Sequence, residues 1–278
     1  MRNNQNRTGP PGQPPKPRTA PVSVHPSLSY SVPTEFVELP SEGMFYSKDH
    51  PLFGQSTIEI KYMTAKEEDL LASEALIKQG LVIERLLKSI MVDPDIDPKS
   101  LLVGDRNAIM VAARISAYGR EYEVNTYCDL CGEIAENYVF DLEKQQYKSN
   151  FSNQLFLKEH DITFDDEAKN YIIKLPKSGL SVGIKLITGH DSGSLDDIDK
   201  DSIVTELLAK FVVSVENISD PPTVNSFVHH MPASDSRFLR NIYLELMPNV
   251  DLAQDFVCPA CKTVQNKEVL LDAGFFWP

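Results

Sequence analysis

No run of 18 apolar residues occurs in the 278-residue chain, so nothing in it has the length of a membrane-spanning helix. The first residues lack the apolar core of a secretory signal, which argues against secretion into an oxidising compartment. Neither Gly-X-X-X-X-Gly-Lys-Ser/Thr nor Gly-X-Gly-X-X-Gly is present, so the two common backbone cradles for nucleotide phosphates are missing. Positive charge is in deficit, with a net charge of −13. A free nucleic-acid-binding protein ordinarily shows a basic footprint, and this chain as a whole shows the opposite. Cysteine is scarce too, at four residues, yet those four carry the most information.

They form two pairs far apart in the chain, Cys128-Asp129-Leu130-Cys131 and Cys258-Pro259-Ala260-Cys261. A Cys-X-X-Cys turn aims two thiolates at one ion, and two such turns supply the four soft ligands of a tetrahedral structural zinc. Gly132 follows the first pair, where a knuckle turn often needs positive φ. Lys262 holds the same place after the second, a weaker match. Strand-like stretches bracket each turn, Tyr122 to Tyr127 and Ile134 to Phe140, then Phe256–Val257 and Thr263 to Val269. The expectation is two hairpins, each carrying a knuckle, in a zinc-ribbon-like module with one zinc per chain. Disulfides are the next reading, disfavoured without secretion. Reactive redox pairs usually sit at a helix N-terminus beside a βαβ pattern, and neither pair does. A catalytic zinc needs an open position and commonly a His or carboxylate ligand. Four thiolates close the shell, so the metal argues for architecture and against chemistry.

Residues 1–33 hold eight of the nineteen prolines, no Phe or Trp, and Arg2, Arg7, Lys16 and Arg18 with no acid. That gives +4, leaving −17 for the remainder. Such a stretch builds no packed core and reads as an extended basic arm for an acidic neighbour or for nucleic acid, or else as a solvated tail. From 34 the pattern is α+β. Residues 34–120 read as strands and helices. Residues 121–149 and 250–278 make the composite ribbon module with an aromatic end, and 150–249 are an inserted hairpin-and-helix region.

Within this map, Glu35 to Tyr46 reads as a short strand, a turn and an aromatic anchor. Ser56 to Tyr62 alternates as a strand, with Ile58, Ile60 and Tyr62 on one side. Thr64 and Glu67 form a capping box for a helix running to about Gln79. Ile83, Leu86, Leu87, Ile90 and Met91 mark a second helix, broken by the Asp- and Pro-rich turn 93–98, which lacks the ligand spacing of a calcium loop. Asp105 is expected to cap a third helix through about Tyr118. Pro176-Lys177-Ser178-Gly179 joins a hairpin of Tyr171 to Leu175 and Leu180 to Ile187. The acidic run Asp191, Asp196, Asp197, Asp199 and Asp201 is expected to lead into a helix, favoured by its dipole. That helix carries Val204, Leu207, Leu208, Phe211, Val212 and Val215 on one face. Asp220-Pro221-Pro222 closes the region. A last helix holds Phe238, Leu239, Ile242 and Leu246 and ends before Pro248. Phe275-Phe276-Trp277-Pro278 is expected to be packed, within the fold or on a partner.

Catalytic chemistry finds no support. His229-His230 are adjacent and so poor joint ligands. His160-Asp161 and His190-Asp191 are single contacts without a nucleophile signature. Ser192-Gly193-Ser194 reads as a loop.

The order of segments carries one further signal. Glu38-Leu39-Pro40-Ser41-Glu42-Gly43-Met44-Phe45-Tyr46 comes first, then helices and a Cys-X-X-Cys. Met231-Pro232-Ala233-Ser234-Asp235-Ser236-Arg237-Phe238-Leu239-Arg240 follows, then Cys-Pro-X-Cys and the Phe-Phe-Trp-Pro end. Over residues 34–278 this resembles the baseplate hub, or hub assembly, protein family of contractile-tailed phages of the T-even type. The resemblance implies a non-enzymatic structural role at or near the hub, between the central spike complex and the wedges, in the virion tail and earlier in the host cytoplasm. A variant of that reading is an assembly chaperone absent from the finished particle. The resemblance carries Cys128, Cys131, Cys258 and Cys261 over as zinc ligands, and Phe275, Phe276 and Trp277 as a docking or packing end. A reading from another class is a zinc-ribbon adaptor in a nucleic-acid machine, binding through the basic arm.

Overall fold

The computed structural model describes residues 31–148, 150–192, 202–271 and 273–277. The arm residues Arg2, Arg7, Lys16 and Arg18 and most of the acidic run at 191–201 lie outside them. Residues 33–278 form one unit.

Strand β1 (Thr34–Glu38) pairs antiparallel with β2 (Thr57–Lys61). The alternation in β2 buries Ile58 and Ile60 as the pattern predicts, while Tyr62 lies beyond the strand end and is exposed. The intervening turn is fixed by Gly43 at φ +71°; a Cβ there would meet backbone atoms of Leu52 and Gln55 at 2.5 Å, so no larger residue fits.

Helix α1 (Ala65–Leu71) begins with the expected Thr64/Glu67 capping box. It stops early, and α2 (Glu74–Lys78) restarts after Ser73, which is extended at φ −72°, ψ 101°. The single helix to Gln79 is therefore two. Serine competes with the helix backbone and favours starts over interiors. Helix α3 (Val82–Ile90) buries Leu86, Leu87 and Ile90. Asp93 and Asp97 then accept from the N–H groups of Asp95 and Lys99, making the expected turn. Helix α4 (Val103–Tyr118) is the central strut, with Ala108, Ile109, Val111 and Ala113 buried. Its N-cap is Leu102, not Asp105. Asp105 sits inside the first turn and is wholly buried because it receives other donors.

After α4 come β3 (Glu121–Tyr127) and β4 (Ile134–Asp141), then β5 (Gln146–Lys148), α5 (Gln154–Glu159), β6 (Ile162–Asp165), β7 (Asn170–Lys174), β8 (Ser181–Ile184), the short α6 (Gly189–Ser192) and α7 (Ile203–Phe211). The predicted helical face through Val215 ends at Phe211. Val212–Val215 is strand β9, which joins β6-β7-β8 in a four-stranded antiparallel sheet. A β-branched run prefers the pleat. Asp220 does not close a region but caps α8 (Pro221–His230), with proline in the first turn, where its missing N–H costs nothing. Helix α9 (Ala233–Leu246) ends before Pro248 as expected. β10 (Asn249–Asp251) returns to pair with β5, and β11 (Ala253–Val257) pairs with β12 (Val264–Glu268).

One large core runs through most of this, and a small second cluster lies between the hairpins β3–β4 and β11–β12. The large core joins Ile60, Leu87 and Ile109 to Ile173 and Val182 of the sheet, Leu239 and Leu246 of α9, and Phe275 and Phe276. At Gly104 a Cβ would fall 1.8 Å from the Pro248 carbonyl oxygen. Glycine thus lets the start of α4 touch the backbone that leaves α9.

Candidate metal centre

The two hairpins β3–β4 and β11–β12 carry the cysteine pairs at their turns. In the first, Cys128 N–H donates to the Glu133 carbonyl at 2.8 Å and Gly132 N–H to the Cys128 carbonyl at 2.9 Å. In the second, Cys258 N–H donates to Thr263 at 3.0 Å and Lys262 N–H to Cys258 at 3.1 Å. The turns are built alike, and Lys262 takes φ +61° where Gly132 takes +74°. The weak sequence match at Lys262 is thus a strained copy of the glycine position.

The inner faces hold the hairpins together. Phe256 packs on Tyr138 at 4.9 Å, and these two surround Cys128 and Cys258 with Ala135. The Tyr138 hydroxyl donates to the Asp255 carbonyl and accepts from Val257 N–H, both at 3.3 Å. Gln254 bonds the Asp141 backbone twice, and Asp129 N–H donates to Gln265.

This brings all four Sγ atoms within 4.8 Å of one another, with Cys128–Cys261 and Cys131–Cys258 each at 3.7 Å. A metal–sulfur bond of about 2.3 Å gives tetrahedral edges of roughly 3.8 Å. The spacing fits that geometry and is far beyond a disulfide bond of about 2.05 Å. The two outer thiols differ in their readiness to ionise. Side-chain and backbone hydrogen bonds at Thr263 hold the Cys261 thiol down, at about 6. A backbone bond at Glu133 lowers Cys131, but burial and the neighbouring thiols outweigh it and push it up to about 12. Four thiolates this close repel one another, and a cation is what would let all four ionise. Cys128 and Cys258 are buried, Cys131 and Cys261 exposed.

Of the other expected functional residues, Phe275 and Phe276 are buried in the chain's own core. Phe275 lies 5.3 Å from the Tyr122 ring, and its carbonyl accepts from Arg114 Nε at 3.2 Å. Both are thereby removed from the set open to a partner, and Trp277, 40% exposed, is left. Arg114 itself is buried with the Tyr118 and Tyr122 rings within 4.9 and 5.6 Å, so cation–π contact replaces a carboxylate partner.

Sequence reasoning missed a second cluster. Asp105 accepts from Ser41 N–H at 3.0 Å, Ser41 Oγ at 2.6 Å and the Tyr46 hydroxyl at 2.7 Å. Burial pushes the Asp105 carboxyl up. The Tyr46 ring stacks on His50 at 4.4 Å, and His50 Nε2 meets Ser100 Oγ at 2.8 Å. Asp235 likewise holds the β7–β8 turn through Lys177 and Ser178 N–H. The signal was there, in Ser41, Tyr46 and Asp235 of the two quoted motifs.

When a tetrahedral ion is held by four protein thiolates, no position is open to a substrate; such a centre is structural, not catalytic. The sequence model of one family, described as T4 bacteriophage base plate protein, matches residues 33–277. The match spans nearly the whole chain, and the chain belongs to that family. No curated protein and no solved structure matches it. No helix among the described residues is long and apolar enough to cross a membrane.

Proposed function

We propose that the chain is a structural, non-enzymatic subunit at or near the central hub of the contractile-tail baseplate. There it joins hub and wedge subunits during assembly and in the virion. The observation that carries the baseplate role is the family match from 33 to 277; the place at the hub rests on the resemblance of the ordered motifs. The ion we assign is zinc, one per chain, held by Cys128, Cys131, Cys258 and Cys261. The donor set supports it: four thiols at tetrahedral spacing and no carboxylate or imidazole among them. Zinc there would supply no reaction, only a fixed angle between two hairpins.

By this reading the chain comprises an arm at 1–33, a strand-and-helix region at 34–120, a composite ribbon at 121–149 with 250–278, and an inserted region at 150–249. Trp277 and the basic arm are assigned to partner contact; an exposed Trp is the residue type that most often anchors an interface.

Quantifying the protein in purified virions tests the role. Stoichiometric recovery in tails, lost from tails stripped of their hubs, supports a hub subunit. Its presence in assembly intermediates and absence from virions would instead establish a transient assembly factor. Salt-sensitive nucleic-acid binding that disappears with residues 1–33 would favour the adaptor reading.

A further inference from the structure

We propose that the outward face of the β3–β4 hairpin docks a basic surface of a neighbouring baseplate protein. This rests on the structural-subunit reading above and adds the face and the chemistry of its partner. The alternation of the hairpin turns Tyr122, Ala135 and Phe140 into the fold. Tyr127 and Ile134 are left as cross-strand partners, as are Glu123 and Val139. Tyr127 is 61% exposed, Ile134 63%, Val139 46%, and Leu130, in the turn between the first two, 70%. Single exposed apolar residues are ordinary, but a set gathered on one hairpin marks a surface meant to be covered.

Charge names what covers it. Residues 121–141 contain Glu121, Glu123, Asp129, Glu133, Glu136 and Asp141 and no Lys, Arg or His. Four thiolates on one divalent ion would add two more negative charges. Two cations from outside the hairpin lie beside it, Lys267 on Asp129 and Arg120 near Glu121 and Asp141; Glu123, Glu133 and Glu136 are the acids that make the apolar centre complementary to a positive partner. The hairpin already shows the interaction on a small scale. Lys267 reaches over from β12, its Nζ 2.6 Å from the Asp129 carboxylate and 4.7 Å from the centre of the Tyr127 ring. The same sign disfavours phosphate backbones, and a chain of net charge −13 disfavours a second copy of itself.

The test adds purified full-length chain to baseplate intermediates from infected cells that lack it. Incorporation is read by sedimentation and quantitative mass spectrometry. Glu123→Lys with Glu136→Lys, and separately Ile134→Ser, change exposed positions only; Leu155→Ser on α5, 81% exposed, is the control. The expected result is a loss of at least about tenfold for both hairpin variants. The control should be unaffected, and the metal content and thermal midpoint of every variant unchanged. Wild-type incorporation should also fall as salt rises from about 0.05 to about 0.5 M. Glu123→Gln with Glu136→Gln should fall between wild type and charge reversal. Hairpin variants that incorporate like wild type overturn the proposal, as does wild-type self-association that these variants abolish. A wild-type chain that joins no intermediate at any salt overturns the structural-subunit reading itself, and this proposal with it.

Discussion

Replacing Cys258 with Ser removes one of four donors and should open the cross-link between the two hairpins. The proposed ion ties Cys131 to Cys258 and so closes a loop on the order of 130 residues, worth about 5 kcal/mol of unfolded-chain entropy by the relation used for cross-links. The apolar cluster around the thiols is small, Cys128, Ala135, Phe256 and Cys258 with Tyr138 packed against them, and the hydrogen bonds between the hairpins are exposed or half-buried, so they offset only part of the loss. For a unit of this size about 1 kcal/mol shifts the midpoint by roughly 2–4 °C, so a concerted transition should fall by roughly 10–20 °C. Calorimetry of wild type and Cys258→Ser, each with and without chelator, measures it. Chelator should lower the wild-type midpoint to near that of the variant and leave the variant unmoved. Amide exchange should speed first in β3–β4 and β11–β12. A midpoint within about 2 °C of wild type, with both hairpins still protected, would refute the cross-link argument.

Asp105→Asn should cost about 2–4 kcal/mol in urea unfolding. It sets an amide N–H against donors from Ser41 and Tyr46 in a buried site; a loss under about 0.5 kcal/mol would show the network to be ornamental. Lys262→Gly should raise stability by about 0.5–1 kcal/mol by relieving the φ of +61°, with metal content unchanged; a drop in the urea midpoint would contradict the strain. At Asp235, burial pushes the carboxyl up, but hydrogen bonds from Ser178 and Lys177 outweigh it and hold it below its ordinary 3.8. Its stabilisation is therefore full above that value and lost as pH falls through the lower, folded one. Asp235→Asn should flatten the acid limb of the stability curve and leave its shape at neutral pH alone; an unchanged acid limb would disprove the linkage.

Local signals were legible where one short stretch decides the outcome. Thr64 with Glu67, the pattern from Ile83 to Ile90, the Pro176–Gly179 turn and the two Cys-X-X-Cys hairpins all follow from neighbours in sequence. The failures share a different cause. Val212–Val215 continued a helical stripe, yet pairing with β8 outweighed that periodicity. Asp105 looked like a cap because nothing near it in sequence shows that Ser41 and Tyr46 arrive from 64 and 59 residues away. The aromatic end could face inward or outward on composition alone. Its packing in the main core, with Phe275 against Tyr122 and its carbonyl bonded by Arg114, turns Phe275 and Phe276 in and leaves Trp277 partly out.

The distance between the two cysteine pairs also has a consequence for synthesis. On the ribosome, Cys128 and Cys131 emerge first and wait while the residues up to Cys258 are translated. At roughly 5–20 residues per second that interval is of order 10 s. Through it the nascent chain presents half a site: two thiols without their partners, beside a helix α4 that cannot yet meet Pro248. The cluster is therefore among the last features of the fold to be completed. Until the second pair arrives, the first is more open to oxidation than it is in the completed site.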